Sequence, residues 1–130
     1  MKQHEFWLLK AHNDLNSAKK LISGDDPITD TGAYHTHQCA EKALKGYLAF
    51  HKKPVEKTND IQLLLEKCMK IDFDFKLIYD DGISLNPYAT EFRYPGLVIN
   101  PDLNDVVEAV SIAEKILHFI KEKIGSDFNK

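Results

Sequence analysis

The sequence predicts an all-α protein, an up-and-down bundle of four or five helices, and two observations predict it. Five stretches repeat apolar residues at steps of three and four, as one face of a helix requires. Strand signals are poor, because the β-branched run Leu97-Val98-Ile99 is too short and isolated to build a sheet. A chain of 130 residues can bury roughly two thirds of its unfolded surface, so we expect one domain spanning residues 1–130.

The first two helices are bounded by glycine, proline and capping residues. The first is predicted from about Glu5 to Ser23 and ends before Gly24. Its apolar face is Trp7, Ala11, Leu15, Ala18 and Ile22. The second is predicted from about Gly32 to Lys52, with Asp30 or Thr31 as its cap and Pro54 closing it.

The remaining helices follow the same rules. The third opens at Thr58-Asn59-Asp60, where Asn59 as cap and Gln62 resemble a capping box, and its apolar face is Ile61, Leu64, Leu65 and Cys68. The fourth begins near Phe73 and is interrupted at Asn86-Pro87, which indicates a kink or a restart with Asn86 as cap. The fifth ends at Gly125, and its apolar face is Val106, Val110, Ala113, Leu117, Ile120 and Ile124.

Composition excludes several classes of function. A net charge of −3 argues against a broad basic surface for duplex nucleic acid, although it leaves room for a small nucleotide pocket. No apolar run approaches the roughly 20 residues of a membrane span, and no secretory signal is present, so a cytoplasmic location is expected. Cys39 and Cys68 do not form a closely spaced pair, which favours buried free thiols over a zinc or redox site. We expect no metal and no cofactor.

The second helix carries two histidines on opposite faces. At about 100° per residue, His37 lies on the core face, whereas His35, Gln38, Lys42 and Lys45 share the other face. The two histidines therefore cannot jointly hold a metal. For His37 we favour a buried ring satisfied by a hydrogen bond over an acid–base or ligand role. The polar face is either solvated, a set of donors for phosphates or an acidic partner, or a subunit contact.

Three segments of the chain, at residues 35–45, 57–61 and 91–96, resemble the HEPN family, the nucleotide-binding helical domain of prokaryotes and higher eukaryotes. The string from His35 to Lys45 is similar to the family signature in which His leads into Gln, small residues, Ala-Glu-Lys and Leu-Lys. Residues 57–61 are similar to the family's Lys-Thr-His-Asp-Leu, with Asn59 where His is usual. Residues 91–96 are similar to its Arg-Tyr-Pro turn.

The resemblance implies a helical domain that commonly forms a homodimer and is often encoded beside, or fused to, a small nucleotidyltransferase. Members have been proposed to bind nucleotides. We therefore expect a nucleotide-binding or partner-binding module rather than a self-sufficient enzyme. The ligand-binding candidates that the resemblance carries over are His35, Gln38, Glu41, Lys42, Lys45, Thr58, Asn59, Asp60, Arg93 and Tyr94.

Arg93 decides between the alternatives, because it is the single arginine of the chain. One branch of the resembled superfamily cleaves RNA with an Arg followed four to six residues later by His, yet residues 94–99 contain no His. We therefore reject that motif, and a nuclease would need a non-standard site using His35 or His118. Arg93 fits a phosphate contact and a salt bridge to Glu41 or Asp60 equally well, and we expect it near residues 38–45. A structural or antitoxin-like interaction protein without a ligand is the other alternative.

Overall fold

The computed structural model describes residues 1–90 and 100–128, and within these ranges it contains helices and no strand. The predicted all-α fold is confirmed. The α-helices are α1 (Gln3–Leu21), α2 (Thr29–Phe50), α3 (Ile61–Ile71), α4 (Tyr79–Ser84) and α5 (Leu103–Phe128). Two short 3-10 helices, η1 (Phe73–Ile78) and η2 (Asn86–Ala89), flank α4.

The helix α2 is the centre of the bundle and packs against α1, α3, α5 and η2. It can do so because small residues let neighbouring backbones approach. A Cβ on Gly46 would lie 3.2 Å from the Cβ of Trp7 and 3.5 Å from the carbonyl oxygen of His4, so α1 crosses closely at this point. The core is filled by buried side chains of α1, α2, α3, η1 and α5. The largest are Tyr47 and Phe75, followed by several leucines and isoleucines.

Helix starts differ from the prediction by a few residues. The helix α1 begins at Gln3, two residues earlier than expected, because the backbone N–H of Lys2 donates to the Glu5 carboxylate. The helix α2 begins at Thr29, so the predicted caps Asp30 and Thr31 lie inside its first turn. The boundaries of a helix are the least determined part of a periodic pattern.

The predicted cap of α3 was wrong by one residue. Asp60 is the N-cap, and its carboxylate accepts from the backbone N–H of Gln62 at 3.0 Å. Both Asn and Asp are good caps, so the sequence did not separate Asn59 from Asp60. The predicted apolar face of α3 is confirmed, since Ile61, Leu64, Leu65 and Cys68 are all buried.

The fourth predicted helix is instead a series of short elements. The chain forms η1, α4 and η2 in succession, and Leu85 rather than Asn86 is the residue that precedes η2. Pro87 occupies the first turn of η2, as expected for a restart. The side chain of Asn86 is used elsewhere, as described below.

The last helix is longer than predicted. Gly125 does not end α5, which continues to Phe128. A helical glycine costs about 1 kcal/mol relative to alanine, which is too little to stop a helix already held by its packed apolar face. No helix within the described ranges is both long and apolar enough to cross a membrane.

Candidate functional site

Two of the motif segments are joined by His37. Its side chain is fully buried, and its Nε2 lies 2.8 Å from the backbone carbonyl oxygen of Asn59. A carbonyl only accepts, so Nε2 carries the proton and donates it. His37 is therefore a buried, hydrogen-bonded histidine, as the sequence predicts. The bond ties the middle of α2 to the segment that leads into α3.

A buried ion pair adjoins His37 on α2. The Lys45 ammonium donates to Oε2 of Glu41 at 2.9 Å, and the two side chains are 8% and 10% exposed. The other carboxylate oxygen of Glu41 lies 3.8 Å from Nδ1 of His37. The Lys45 ammonium also stands 5.6 Å from the centroid of the Trp7 ring, which makes a cation–π contact. Glu41 therefore connects the α1 side of the bundle with the α3 side.

Asn86 contacts the two residues that follow Asn59, namely Asp60 and Ile61. Its Nδ2 donates to the carboxylate of Asp60 at 3.0 Å, and its Oδ1 accepts from the backbone N–H of Ile61 at 3.0 Å. The hydrogen bond from Asn86 holds the pKa of Asp60 below its ordinary value, so this carboxylate is ionised at neutral pH. We call the connected set the polar network. Its members are Lys45, Glu41, His37, Asn59, Asp60 and Asn86.

A groove opens beside the polar network, at the start of α3. Its described polar lining is Asn59, Asp60, Gln62, Asn86 and Thr90, and its described apolar lining is Ile83, Pro87 and Ala89. The groove offers an anionic acceptor, amide donors and acceptors, and an apolar wall. Small-molecule sites combine an apolar surface with a few polar groups in this way. Thr90 is the last described residue before residues 91–99, and the described lining of the groove ends there.

Two further candidates of α2, His35 and Lys42, contact Asp14 of α1. Asp14 accepts from Lys42 at 2.6 Å and lies 2.8 Å from Nδ1 of His35. We call these three residues the Asp14 cluster. Sequence reasoning missed Asp14, although a carboxylate beside Leu15 within the apolar pattern of α1 was a signal for a buried partner.

The ten predicted site residues therefore fall into separate groups. His35 and Lys42 belong to the Asp14 cluster, whereas the polar network contains Glu41, Lys45, Asn59 and Asp60. Thr58 adjoins this network, because its hydroxyl accepts from the backbone N–H of Asp60 at 3.1 Å. Gln38 is half-buried on α2. Arg93 and Tyr94 lie outside the described residues. The expected proximity of Arg93 to residues 38–45 therefore stays a prediction.

Burial lowers the pKa of His37 below its ordinary value of 6.5, while the Asn59 carbonyl and the Glu41 carboxylate oppose the shift. Among the described residues its Nδ1 has no hydrogen-bond partner. The ring is therefore neutral in the folded protein at neutral pH. It serves as a fixed donor to Asn59.

The neutral state of His37 predicts a pH dependence of stability. The unfolded chain takes up a proton near pH 6.5, whereas the folded chain does so only at lower pH. The contribution of neutral His37 to the free energy of unfolding is fully present above about pH 6.5. It is lost as the pH falls toward the pKa of His37 in the folded protein, by at most about 1.4 kcal/mol per pH unit. Urea unfolding between pH 7.5 and 5.5 should show a shallower decline for His37→Gln than for the unaltered protein. The exposed control His12→Gln should follow the unaltered protein, and equal slopes for all three would contradict the assignment.

The two cysteines are buried free thiols, as predicted. Burial raises the pKa of Cys39 to about 12 and raises the pKa of Cys68 as well. Thiols are nucleophilic only as thiolates, so neither serves as a nucleophile at neutral pH. Within residues 1–90 and 100–128 no group of three His, Cys, Asp or Glu residues is placed to hold a metal ion.

Fold and site together define a helical bundle in which a partly buried polar network adjoins a groove. The model of the HEPN domain family matches residues 4–124, and the chain belongs to this family. The crystal structure of ST0689, an archaeal HEPN homologue, is similar with a TM-score of 0.74 and 28% identity. The crystal structure of TT1696 from Thermus thermophilus is similar with a TM-score of 0.78 and 25% identity. Each match covers 95% of this chain and 99% of the other. No curated protein matches the chain.

Proposed function

We propose that this chain is a nucleotide-binding module that holds its ligand in the groove at the start of α3. One observation carries the proposal, namely that the first motif segment contacts the second, and the second lines the groove. His37 of the first segment contacts Asn59 of the second, and Asp60 of the second contacts Asn86, which also lines the groove. The family match supports a shared purpose for these segments, because they are the parts of the chain that resemble the family's signatures.

The chemistry of the lining suits the base and ribose of a nucleotide. An ionised Asp60 only accepts hydrogen bonds, so it pairs with an exocyclic amine or a ribose hydroxyl and repels phosphate. The side-chain amides of Asn59 and Gln62 supply both donors and acceptors. Pro87 and Ile83 provide an apolar wall for the flat base. The phosphate is assigned to Arg93, whose guanidinium can bind it through two hydrogen bonds.

The module works with a partner that performs the chemistry. Catalysis by this chain alone has little support, since His37 is buried and neutral and both thiols are protonated. The histidines that a non-standard nuclease would use are engaged elsewhere. His35 contacts Asp14, and His118 lies 3.5 Å from Glu122 on the exposed face of α5. A homodimer that docks a small nucleotidyltransferase is the arrangement we propose.

Calorimetric titration with ATP and AMP tests the groove. We expect Asn59→Ala and Arg93→Ala each to weaken binding about tenfold, the effect of losing roughly 1.4 kcal/mol of polar contact. Asn59→Ala keeps the backbone carbonyl that His37 needs, so the fold should persist. Lys10→Ala, an exposed change on α1, is the matched control and should leave the affinity unchanged.

A further variant distinguishes between two candidate locations of the bound nucleotide, the groove and the Asp14 cluster. Lys42→Ala disrupts the Asp14 cluster and leaves the lining of the groove intact, so the affinity should stay the same. A loss confined to Lys42→Ala would place the ligand at the Asp14 cluster instead. Unchanged affinity in both Asn59→Ala and Arg93→Ala would overturn the proposal.

A further inference from the structure

A second pocket lies at the opposite end of α3 from the groove, where α2 and α3 both end. It is a cavity of about 250 Å³. Its described lining is Leu48, Lys53, Pro54, Lys67, Lys70 and Ile71, and we call it the lysine pocket. The groove lies at the first turn of α3 and the lysine pocket at its last, so the length of this helix separates them.

The chain builds this pocket through an unusual turn. Lys52 has a φ of 59°, a left-handed conformation that glycine normally adopts at the end of a helix. The backbone N–H groups of Lys52 and Lys53 donate to the carbonyls of Ala49 and Leu48, at 3.0 and 2.9 Å. In this helix-ending motif the position of Lys53 is frequently apolar and contacts the position of Leu48. Here a cation occupies it.

Helix capping does not account for the lysines. Cations near a helix C-terminus often satisfy its last carbonyls. At the end of α2, however, backbone N–H groups already serve those carbonyls, including His51 to Tyr47 at 3.2 Å. At the end of α3 the N–H of Asp72 donates to the carbonyl of Cys68 at 3.0 Å. The ammonium groups of Lys53 and Lys70 are therefore not needed to satisfy these carbonyls.

The charge of the lysine pocket is positive and only partly compensated. Lys67 pairs with Glu56, whereas Lys53 and Lys70 form no ion pair within the part of the chain that the structure describes. No carboxylate belongs to the described lining. Beneath the cations lie Leu48, which is buried, and Ile71, which is half-buried. A cleft with charges of one sign above low-dielectric walls concentrates its field on a counter-ion.

We infer that the lysine pocket binds a small phosphomonoester, with its phosphate among the three ammonium groups and an apolar substituent against Leu48 and Ile71. Lysine binds phosphate as a point charge, which suits a pocket with several lysines and no arginine in its described lining. The apolar floor selects a phosphate that carries an organic group over the free ion. This site is independent of the proposed nucleotide groove, because the two share no described lining residue.

Titration with phenyl phosphate, followed by the amide shifts of ¹⁵N-labelled protein, tests the inference. We expect saturable shifts at Leu48, Lys53 and Ile71. Inorganic phosphate should bind several-fold more weakly, because it lacks the apolar group. The double variant K53Q/K70Q should weaken binding of phenyl phosphate about tenfold, because it removes two of the three cations that contact the phosphate.

The double variant K10Q/K20Q removes the same charge from the exposed side of α1 and is the control. Circular dichroism of both variants checks that the helices persist. An absence of saturable shifts at the lysine pocket up to millimolar phenyl phosphate would overturn the inference, and so would an equal loss in the control. Equal affinity for inorganic phosphate would overturn the assignment to a phosphomonoester.

Discussion

Glu41→Gln is expected to lower the free energy of unfolding by about 3 kcal/mol, because it removes one partner of a buried ion pair. The Lys45 ammonium is 2.9 Å from the Glu41 carboxylate, and its side chain is 8% exposed. Taking away the carboxylate leaves this charge largely out of water, with the neutral glutamine amide in place of its ion-pair partner. Urea unfolding at pH 7 measures the change.

A matched control and a double variant complete this test. Glu122→Gln alters a contact of the same i, i+4 spacing, with His118 on the exposed face of α5, so its effect should stay within about 0.5 kcal/mol. Glu41→Gln combined with Lys45→Met removes both charges and should recover much of the lost stability. If Glu41→Gln destabilises no more than Glu122→Gln, the ion pair does not stabilise the bundle as described.

Asn86→Ala is expected to lower the free energy of unfolding by about 2 to 3 kcal/mol, since two hydrogen bonds disappear together. The backbone N–H of Ile61 is among the first N–H groups of α3, which have no partner within the helix. Asn86 is its acceptor, and the same side chain donates to Asp60. The loss should also detach η2 from the start of α3 and thus disturb the groove. Urea unfolding at pH 7 measures the change in stability.

Asn86→Asp separates the contributions of the two bonds. It retains an acceptor for the N–H of Ile61 but places a second carboxylate against Asp60, so at pH 7 it should be destabilised about as much as Asn86→Ala. Protonation of one of the two carboxyl groups restores a hydrogen-bond donor. The difference in the free energy of unfolding between this variant and the unaltered protein should therefore narrow as the pH approaches about 4. Asn13→Ala on the exposed face of α1 is the control. An effect of Asn86→Ala as small as that of the control would contradict the role of Asn86.

The fold was predictable because the helical periodicity of apolar residues and the residues that begin and end helices are local signals. The apolar faces of α3 and α5 could be read directly from spacing, and the opposite directions of His35 and His37 followed from the helical repeat. The short elements between Phe73 and Ala89 could not be read in this way. Their conformation depends on packing against α2, α3 and α5, which no local pattern reports.

The site was less predictable, because a helical wheel assigns faces without saying what packs against them. His35, Lys42 and Lys45 share one face of α2 in the sequence, yet the first two contact Asp14 and the third contacts Glu41. Asn86 looked like a cap because it precedes a proline. Its contact with Asp60, 26 residues away in the chain, exists only once η2 folds against α3.

The most direct test of the nucleotide-binding proposal is the location of the bound nucleotide. Amide shifts of ¹⁵N-labelled protein titrated with AMP report that location residue by residue. The proposal predicts saturable shifts at Asn59, Asp60, Asn86 and Thr90, and their loss in Asn59→Ala. Shifts confined to Leu48 and Ile71, or no saturable shift at millimolar AMP, would show that the groove at the start of α3 is not a nucleotide site.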